Sequence, residues 1–313
     1  MGFAGAMAVA MVVDALMGWP GALFAHIGHP VTWIGQLISL LDRSWNRSAD
    51  APSIRRIAGV AAALLVIGLC LGIGWIVQTL LPVGWSGAVL LGILAWPMVA
   101  LRSLYDHVAA VAQPLQSGDI DAARLAVAQI VGRDPATLDE AGIARAAIES
   151  LAENASDGIV APVFWGVLFG LPGIIGYKAI NTLDSMIGHR SERHLYFGWA
   201  AARIDDIANF IPARLTGFLF VLVSSRFSQA LFCMVRDANR HRSINAGWPE
   251  AAMAGALGVR ISGPRSYHGA MTNEPWLNEG ARDPLAADLR SGLMLYIRAM
   301  LLLGGLLVAL ALV

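Results

Sequence analysis

IAGVAAALLVIGLCLGIGWIVQTLLPVGWSGAVLLGILAWPMVAL, residues 57–101, decides the architecture, because it contains no charged residue. Pro82, Gly84 and Gly87 interrupt it close to its middle. A spanning helix needs about 20 apolar residues, so the pattern predicts a transmembrane hairpin with a short external turn that anchors the chain. Gly59, Gly68, Gly72 and Gly74 suit close helix packing, yet glycine is also common in membrane helices with no such role.

Outward from the hairpin, the composition agrees. Of 313 residues, 57% are hydrophobic and 14% charged, and the mean hydropathy is +0.61. An integral membrane protein is the class that fits. The formal net charge is zero, which gives no reason to expect a nucleic-acid partner. Cys70 and Cys233 are the only cysteines, so neither a disulfide framework nor a CxxC zinc motif is expected. Residues 3–18 read as a retained first membrane helix, since the N-terminus lacks the basic region of a cleaved signal and carries Asp14 in its apolar run. Asp14 either faces a polar site or snorkels to water. Next comes GWPGALFAHIGHPVTWIGQLI, residues 18–38, a punctuated loop and then an amphipathic helix. His26 and His29 are a metal-ligand pair or, lacking a third ligand, structural. Arg43, Arg47, Arg55 and Arg56 make this loop basic, which places it on the cytoplasmic side.

Charge returns in residues 102–158, a cytoplasmic insertion. SGDIDAARLAVAQIVGRD and PATLDEAGIARAAIESLAEN read as two soluble amphipathic helices. Thr137 and Glu140 fit a capping box that starts the second near Leu138. Glu149 and Glu153, at i, i+4, share a face near its C-terminus, where repulsion and the helix dipole both disfavour them. A cation or basic partner resolves this; two solvated glutamates are the plainer alternative.

Residues 159–223 form the segment expected to carry chemistry. Ile159 to Tyr177 is long enough to span, but Leu171-Pro172-Gly173 falls inside it, and proline breaks a helix there. A single crossing would also put Glu149 to Asp157 and Lys178 to Asp206 on opposite sides of the membrane. A re-entrant or broken helical hairpin is therefore expected, with its backbone buried in protein. Lys178, Asn181 and Ser185 share one face, with Thr182 and Asp184 adjacent; Asp205, Asp206 and Asn209 repeat the theme in DDIAN. Such clusters offer the oxygen ligands Mg²⁺ prefers, with Lys178, Arg203 and Arg214 for phosphate oxygens. The polar region 224–292 holds Arg236, Asp237, Arg240, His241 and Arg242, and Glu250 stands before an Ala- and Gly-rich helix. Residues 260–290 read as a loop with Trp276 as a packing anchor, and 293–313 as the last membrane helix. The whole predicts one membrane domain, residues 1–313: an all-α polytopic bundle of roughly 5–8 membrane helices with amphipathic cytoplasmic helices.

ESLAENASDGIVAPVFW, GYKAINTLDSMIGHRSER, GWAAARIDDIANFIPARLT and NAGWPEAAMAGALGV, with DALMGWP and HPVTWIG near the N-terminus, resemble the membrane-bound adenosylcobinamide-phosphate synthase family of cobalamin biosynthesis. The resemblance covers nearly the whole chain. It departs at Trp19, where an Asp is expected, and at Ile244, where a Pro is expected. The first puts a catalytic role for that turn in doubt; the second bears on loop stiffness. The resemblance implies amide-bond formation between adenosylcobyric acid, the corrinoid substrate, and an aminoalcohol phosphate such as 1-aminopropan-2-ol O-phosphate, with ATP and Mg²⁺. ATP is expected to convert the corrinoid carboxylate to an acyl phosphate that the amine attacks.

On that basis Glu149, Glu153, Asp157, Lys178, Asp184, Asp205 and Asp206 are candidate catalytic residues, with Glu153, Asp157, Asp184 and Asp205 for Mg²⁺. Asn154, Asn181, Arg203, Asn209 and Arg214 are candidates for the nucleotide and its phosphates. His29, Trp33, Arg236, Asp237, His241, Asn245, Trp248 and Glu250 match the family's other motifs as substrate contacts. A multi-pass protein of the cell's inner membrane with a cytoplasmic site is implied, with other cobalamin enzymes as possible partners. Read without the resemblance, the same clusters also fit an intramembrane Mg²⁺-dependent prenyltransferase, or a non-enzymatic transporter or scaffold.

Overall fold

The structure is a computed structural model that describes residues 2–131, 135, 137–267 and 270–313. Its helices in chain order are α1 Phe3–Met17, α2 Gly21–Ile27, α3 Pro30–Trp45, α4 Pro52–Thr79, α5 Trp85–Ala95, α6 Leu101–Gln116, α7 Ile120–Val127, α8 Glu140–Ala155, α9 Ala161–Phe169, α10 Leu171–Ile187, α11 Trp199–Ala208, α12 Phe210–Val223, α13 Phe227–Asp237, α14 Gly247–Leu257 and α15 Ala286–Leu312. The fold is all-α and polytopic, as the composition requires. Among the described residues, three helices are long and apolar enough to cross a membrane, or up to five if each of two bent pairs is one span. Two short ribbons interrupt residues 260–290, which the sequence reads as loop throughout: β1 Ile261–Ser262 pairs with β4 Trp276–Leu277, and β2 Arg265–Tyr267 with β3 Ala270–Thr272. Strands this short carry no alternating pattern that sequence reading can detect.

The chain forms two compact units, residues 1–100 with 161–209 and 307–313, and residues 101–160 with 210–306. In the first, α10 is central, packing on α4, α9, α11 and α3. Ile34, Ile38 and Leu41 of α3, Val66 and Cys70 of α4, and Leu183 and Ile187 of α10 share its core. The anchoring hairpin turns where expected, between Thr79 and Trp85. Its two helices, however, take different partners: α4 packs along α10 and α5 along α1. The glycine reading divides. A Cβ on Gly59 would lie 1.9 Å from the Phe197 carbonyl oxygen and one on Gly74 2.8 Å from Pro172 backbone, whereas Gly68 and Gly72 meet nothing within 4 Å.

The expected helix break is present, set by Gly170 at φ 69°. Pro172 sits in the first turn of α10, where a missing N–H costs nothing. The Leu171 amide, freed by the break, donates to Gln78 Oε1 at 2.8 Å. Asp14 does not snorkel. Only 3% of it is exposed, because its side of α1 turns inward.

In the second unit α14 packs against α13, α12 and α8. Several expectations need correction here. Asp139, not Thr137, caps α8, its carboxylate accepting the Gly142 amide at 2.8 Å; the helix starts at Glu140, which moves the N-cap past Thr137. Residues 132–134 and 136 of the two expected helices lie outside the described residues. Nor is α8 a half-solvated amphipathic helix: Ile143, Ala144, Ala146, Ala147, Ile148 and Leu151 are all buried. Ser156–Val160 continues it as a π-helical turn leading into α9, so Glu149 and Glu153 do not stand at a helix C-terminus and the dipole argument against them lapses. The last helix begins at Ala286, two turns before the expected Leu293, which places Arg298 in its interior.

Trp276 is the anchor expected of it, with the Arg145 and Arg260 guanidinium carbons 4.6 and 4.4 Å from its ring. Both arginines bond Asp283, at 2.7 and 2.7 Å. Hydrogen bonds from Arg260, joined by those from Arg145, hold the Asp283 carboxyl down at about 2.

Two outcomes are expected. Gln78→Leu strands the Leu171 amide and lowers stability by about 1–3 kcal/mol, read by thermal unfolding in detergent, whereas Gly68→Ala changes it by less than about 0.5 kcal/mol. The Asp283 pKa is depressed, so its stabilisation is full above about pH 4 and lost as pH falls towards 2; Asp283→Asn flattens the thermal midpoint across that window.

Candidate active site

The first unit assembles its polar residues around α10 and α11. Trp165 of α9 donates Nε1–H to the Ala208 carbonyl at 3.1 Å, and Ala161, Tyr177 and Ala208 pack together with Ile180. These contacts fix α11 against α9 and α10. Tyr177 then donates its buried hydroxyl to Asn209 Oδ1 at 2.8 Å, and Asn209 Nδ2 donates to Asp205 Oδ2 at 3.0 Å. Tyr177, which sequence reasoning passed over, thus orients Asp205 through Asn209. On the same helix Arg203 pairs with Asp206 at 2.8 Å. Asp184 lies within electrostatic reach of His189, Asp206 and Arg203, and its Oδ1 would lie 2.0 Å from a Cβ on Gly188. Lys178 is close enough to act on His29 electrostatically.

Arg203 is also one wall of a cavity of about 320 Å³ lined by His189, Arg190, His194 and Trp199. Of these lining residues, sequence reading singled out only Arg203. The signal was the basic run HRSER after Gly188, which reads equally well as a topology determinant. The loop that carries it is clipped to α3: Arg193 bonds Asp42 Oδ2 at 2.8 Å, and Asn46 Nδ2 donates to the Arg193 carbonyl at 3.0 Å. Arg55 Nε in turn donates to Asn46 Oδ1 at 2.8 Å.

The other candidates have mainly local partners. His29 caps α3, its Nδ1 accepting the Val31 amide at 3.2 Å, and its ring meets Trp19 edge-on at 4.7 Å. Trp33 bonds the Ile27 carbonyl and is 52% exposed. In the second unit, Glu149 is 5% exposed and accepts the Ser262 amide at 2.7 Å, and Asn154 donates to the Ser150 carbonyl. Fully buried Asp237 accepts Arg236 at 2.6 and 2.7 Å and the Asn278 amide at 2.8 Å. Burial pushes its carboxyl up, but these donors more than offset it, leaving the pKa below the ordinary value. Arg214, Asn245 and Trp248 do come together: the guanidinium lies 4.6 Å from the Trp248 ring centre, and Nη1 is 3.4 Å from Asn245 Oδ1. His241 and Glu250 face one another at 3.7 Å, both nearly buried. Glu153 and Asp157 belong to this unit as well.

Among the described residues no three His, Cys, Asp or Glu side chains are grouped to hold a metal by themselves. That is no obstacle for Mg²⁺, which is typically held by one or two carboxylates, waters and substrate phosphate. Asp184 and Asp206, within electrostatic reach of one another and both near Arg203, supply the one or two carboxylates of that donor set.

The sequence profile of the CobD/Cbib protein family matches residues 7–296. The chain belongs to that family. Similar curated proteins are each named a cobalamin biosynthesis protein CobD. One from Rhodobacter capsulatus is 62% identical over 96% of this chain and 95% of its own length. One from Brucella suis biovar 1 is 46% identical over 98% and 96%, and one from a Sinorhizobium species 44% over 98% and 98%. No solved structure matches the chain. Membership of this family gives the chain a role in cobalamin biosynthesis, and its helices make it a multi-pass membrane protein.

Asn209→Ala removes the acceptor of the Tyr177 hydroxyl and frees Asp205. It is expected to cost about 1–3 kcal/mol, more than Tyr177→Phe, when thermal midpoints are compared in one detergent.

Proposed function

We propose that the chain forms the amide bond between the carboxylate of adenosylcobyric acid and the amine of an aminoalcohol phosphate, consuming ATP with Mg²⁺. Family membership supports the pathway, and one observation supports the chemistry: Arg203, paired with Asp206 and within electrostatic reach of Asp184, lines a cavity with His189, Arg190 and His194. A carboxylate does not acylate an amine at useful rates until its oxygen becomes a leaving group, and phosphorylation by ATP supplies that activation.

In this reading Asp184 and Asp206 hold Mg²⁺, which when bound neutralises phosphate charge. Arg203 pairs with Asp206 and presents its remaining N–H donors to phosphate oxygens, stabilising charge that develops during transfer. Asp205, oriented by Asn209, removes the proton from the attacking ammonium. Lys178 and Asn181 stand on the Asp184 helix to orient the carboxylate being activated. Within the second unit, Arg214 with Asn245 and Trp248 forms a cation flanked by an indole, a separate polar group of that unit. Glu149, His29 and Asp237 have structural employment that accounts for them. The basic loop with Arg43, Arg47, Arg55 and Arg56 supports a cytoplasmic-facing site in the inner membrane. No observation favours prenyl transfer or transport over this reading.

Purified protein incubated with adenosylcobyric acid, 1-aminopropan-2-ol O-phosphate, ATP and Mg²⁺ is expected to give the condensed product and ADP by mass spectrometry. Absence of an ATP-dependent product overturns the reading. Asp184→Asn and Asp206→Asn are each expected to lower the rate by about 100-fold or more.

A further inference from the structure

Four nitrogen-bearing side chains, His189, Arg190, His194 and Arg203, line one cavity with Trp199, and their occupations differ. Arg203 is committed to Asp206. His194 faces Asp42 at 3.4 Å and takes a Ser191 contact at Nδ1. His189 uses Nε2 on the Ser185 carbonyl at 2.8 Å, leaving Nδ1. Arg190 is exposed and has neither a carboxylate nor a hydrogen-bond partner among the described residues. An exposed guanidinium with no anion bound is open to a ligand, and its planar fork of donors matches phosphate oxygens. Trp199 is anchored from behind, with the Arg56 guanidinium 3.7 Å from its ring centre. The loop between α10 and α11 is clipped to α3 by Arg193, Asp42 and Asn46, so the backbone that carries Arg190 is tethered next to it. A volume of about 320 Å³ accepts a phosphate group with part of its ester and is at the small end for ligand pockets.

We infer that this cavity is the subsite for a phosphate group, with Arg190 its principal free cation and Arg203 its further donor. The inference deepens the synthase reading, which supplies two sources for that group, the nucleotide and the aminoalcohol phosphate. Its test is binding without turnover, on the full chain in detergent. Inorganic phosphate, ATP with Mg²⁺, and 1-aminopropan-2-ol O-phosphate are titrated separately by calorimetry into wild type, Arg190→Gln and Arg190→Lys.

Arg190→Gln is expected to weaken at least one of the two phosphate esters, and inorganic phosphate, by about tenfold, while Arg190→Lys, which keeps the charge but loses the planar fork, is expected to fall between Arg190→Gln and wild type. Selective loss of ATP assigns the subsite to the nucleotide, selective loss of the aminoalcohol phosphate assigns it to that substrate, and either outcome supports the site. The inference is overturned if wild type binds none of the three, or if Arg190→Gln binds all three within about twofold of wild type. Because Arg190 is exposed and makes no hydrogen bond or ion pair among the described residues, its replacement is expected to leave the fold intact, and an unchanged thermal midpoint verifies this. A chain that binds phosphate but forms no amide keeps this subsite and loses the synthase reading; amide formation with unimpaired binding in Arg190→Gln does the reverse.

Discussion

A hydrogen bond from the Leu171 amide to Gln78 Oε1 seals the helix break on which the first unit is arranged. Breaking a helix frees a backbone donor that costs about 1–3 kcal/mol when it is buried without a partner. Here the break falls next to Pro172, which has no N–H to strand, and Gly170 supplies the left-handed backbone the turn needs. Gly74 completes the arrangement by letting α4 approach the Pro172 backbone to a distance no side chain tolerates. Because α10 starts at this break, the positions of Lys178, Asn181 and Asp184 along it follow from the way the break is sealed.

The site chemistry has the same logic of supported placement. Asp205 is aimed by Asn209, which is held by the Tyr177 hydroxyl, and α11 as a whole is fixed through Trp165 and Ala208. The loop leading into α11 is pinned from the other side by Asp42, Asn46 and Arg55. Of the cavity's two arginines, Arg203 is thereby held on a tethered helix and paired with Asp206. Such preorganisation is what makes charges effective in catalysis, since they need not reorient as charge develops.

Much of this architecture could be read directly. A charge-free run long enough for two spans, a proline in the middle of an apolar segment and the DDIAN cluster each state their structural meaning locally. What could not be read depends on partners distant in sequence. Gln78 looks like a lone polar residue at a helix end until Leu171 is placed beside it. Helix α8 carries Arg145, Glu149 and Glu153, which suggest a solvated face; Asp283 and the Ser262 amide satisfy the first two from more than a hundred residues away. His189, Arg190 and His194 belong to a short basic run whose obvious reading is membrane topology, and only folding shows that they surround a cavity. Gly59 and Gly68 illustrate the limit well, being alike in sequence and opposite in surroundings.

The first unit is also discontinuous along the chain, its α4 and α10 separated by residues 101–160 of the other unit. Synthesis delivers α4 to the membrane long before its partner exists. Until Leu171 arrives, the Gln78 carboxamide has no native mate, and the close-approach surface of α4 has only lipid beside it. Biogenesis therefore includes an interval in which a polar side chain needs shelter from hydrocarbon, by the insertion machinery or by water at the membrane edge. The bond that later seals the helix break is, during translation, the chain's most exposed debt.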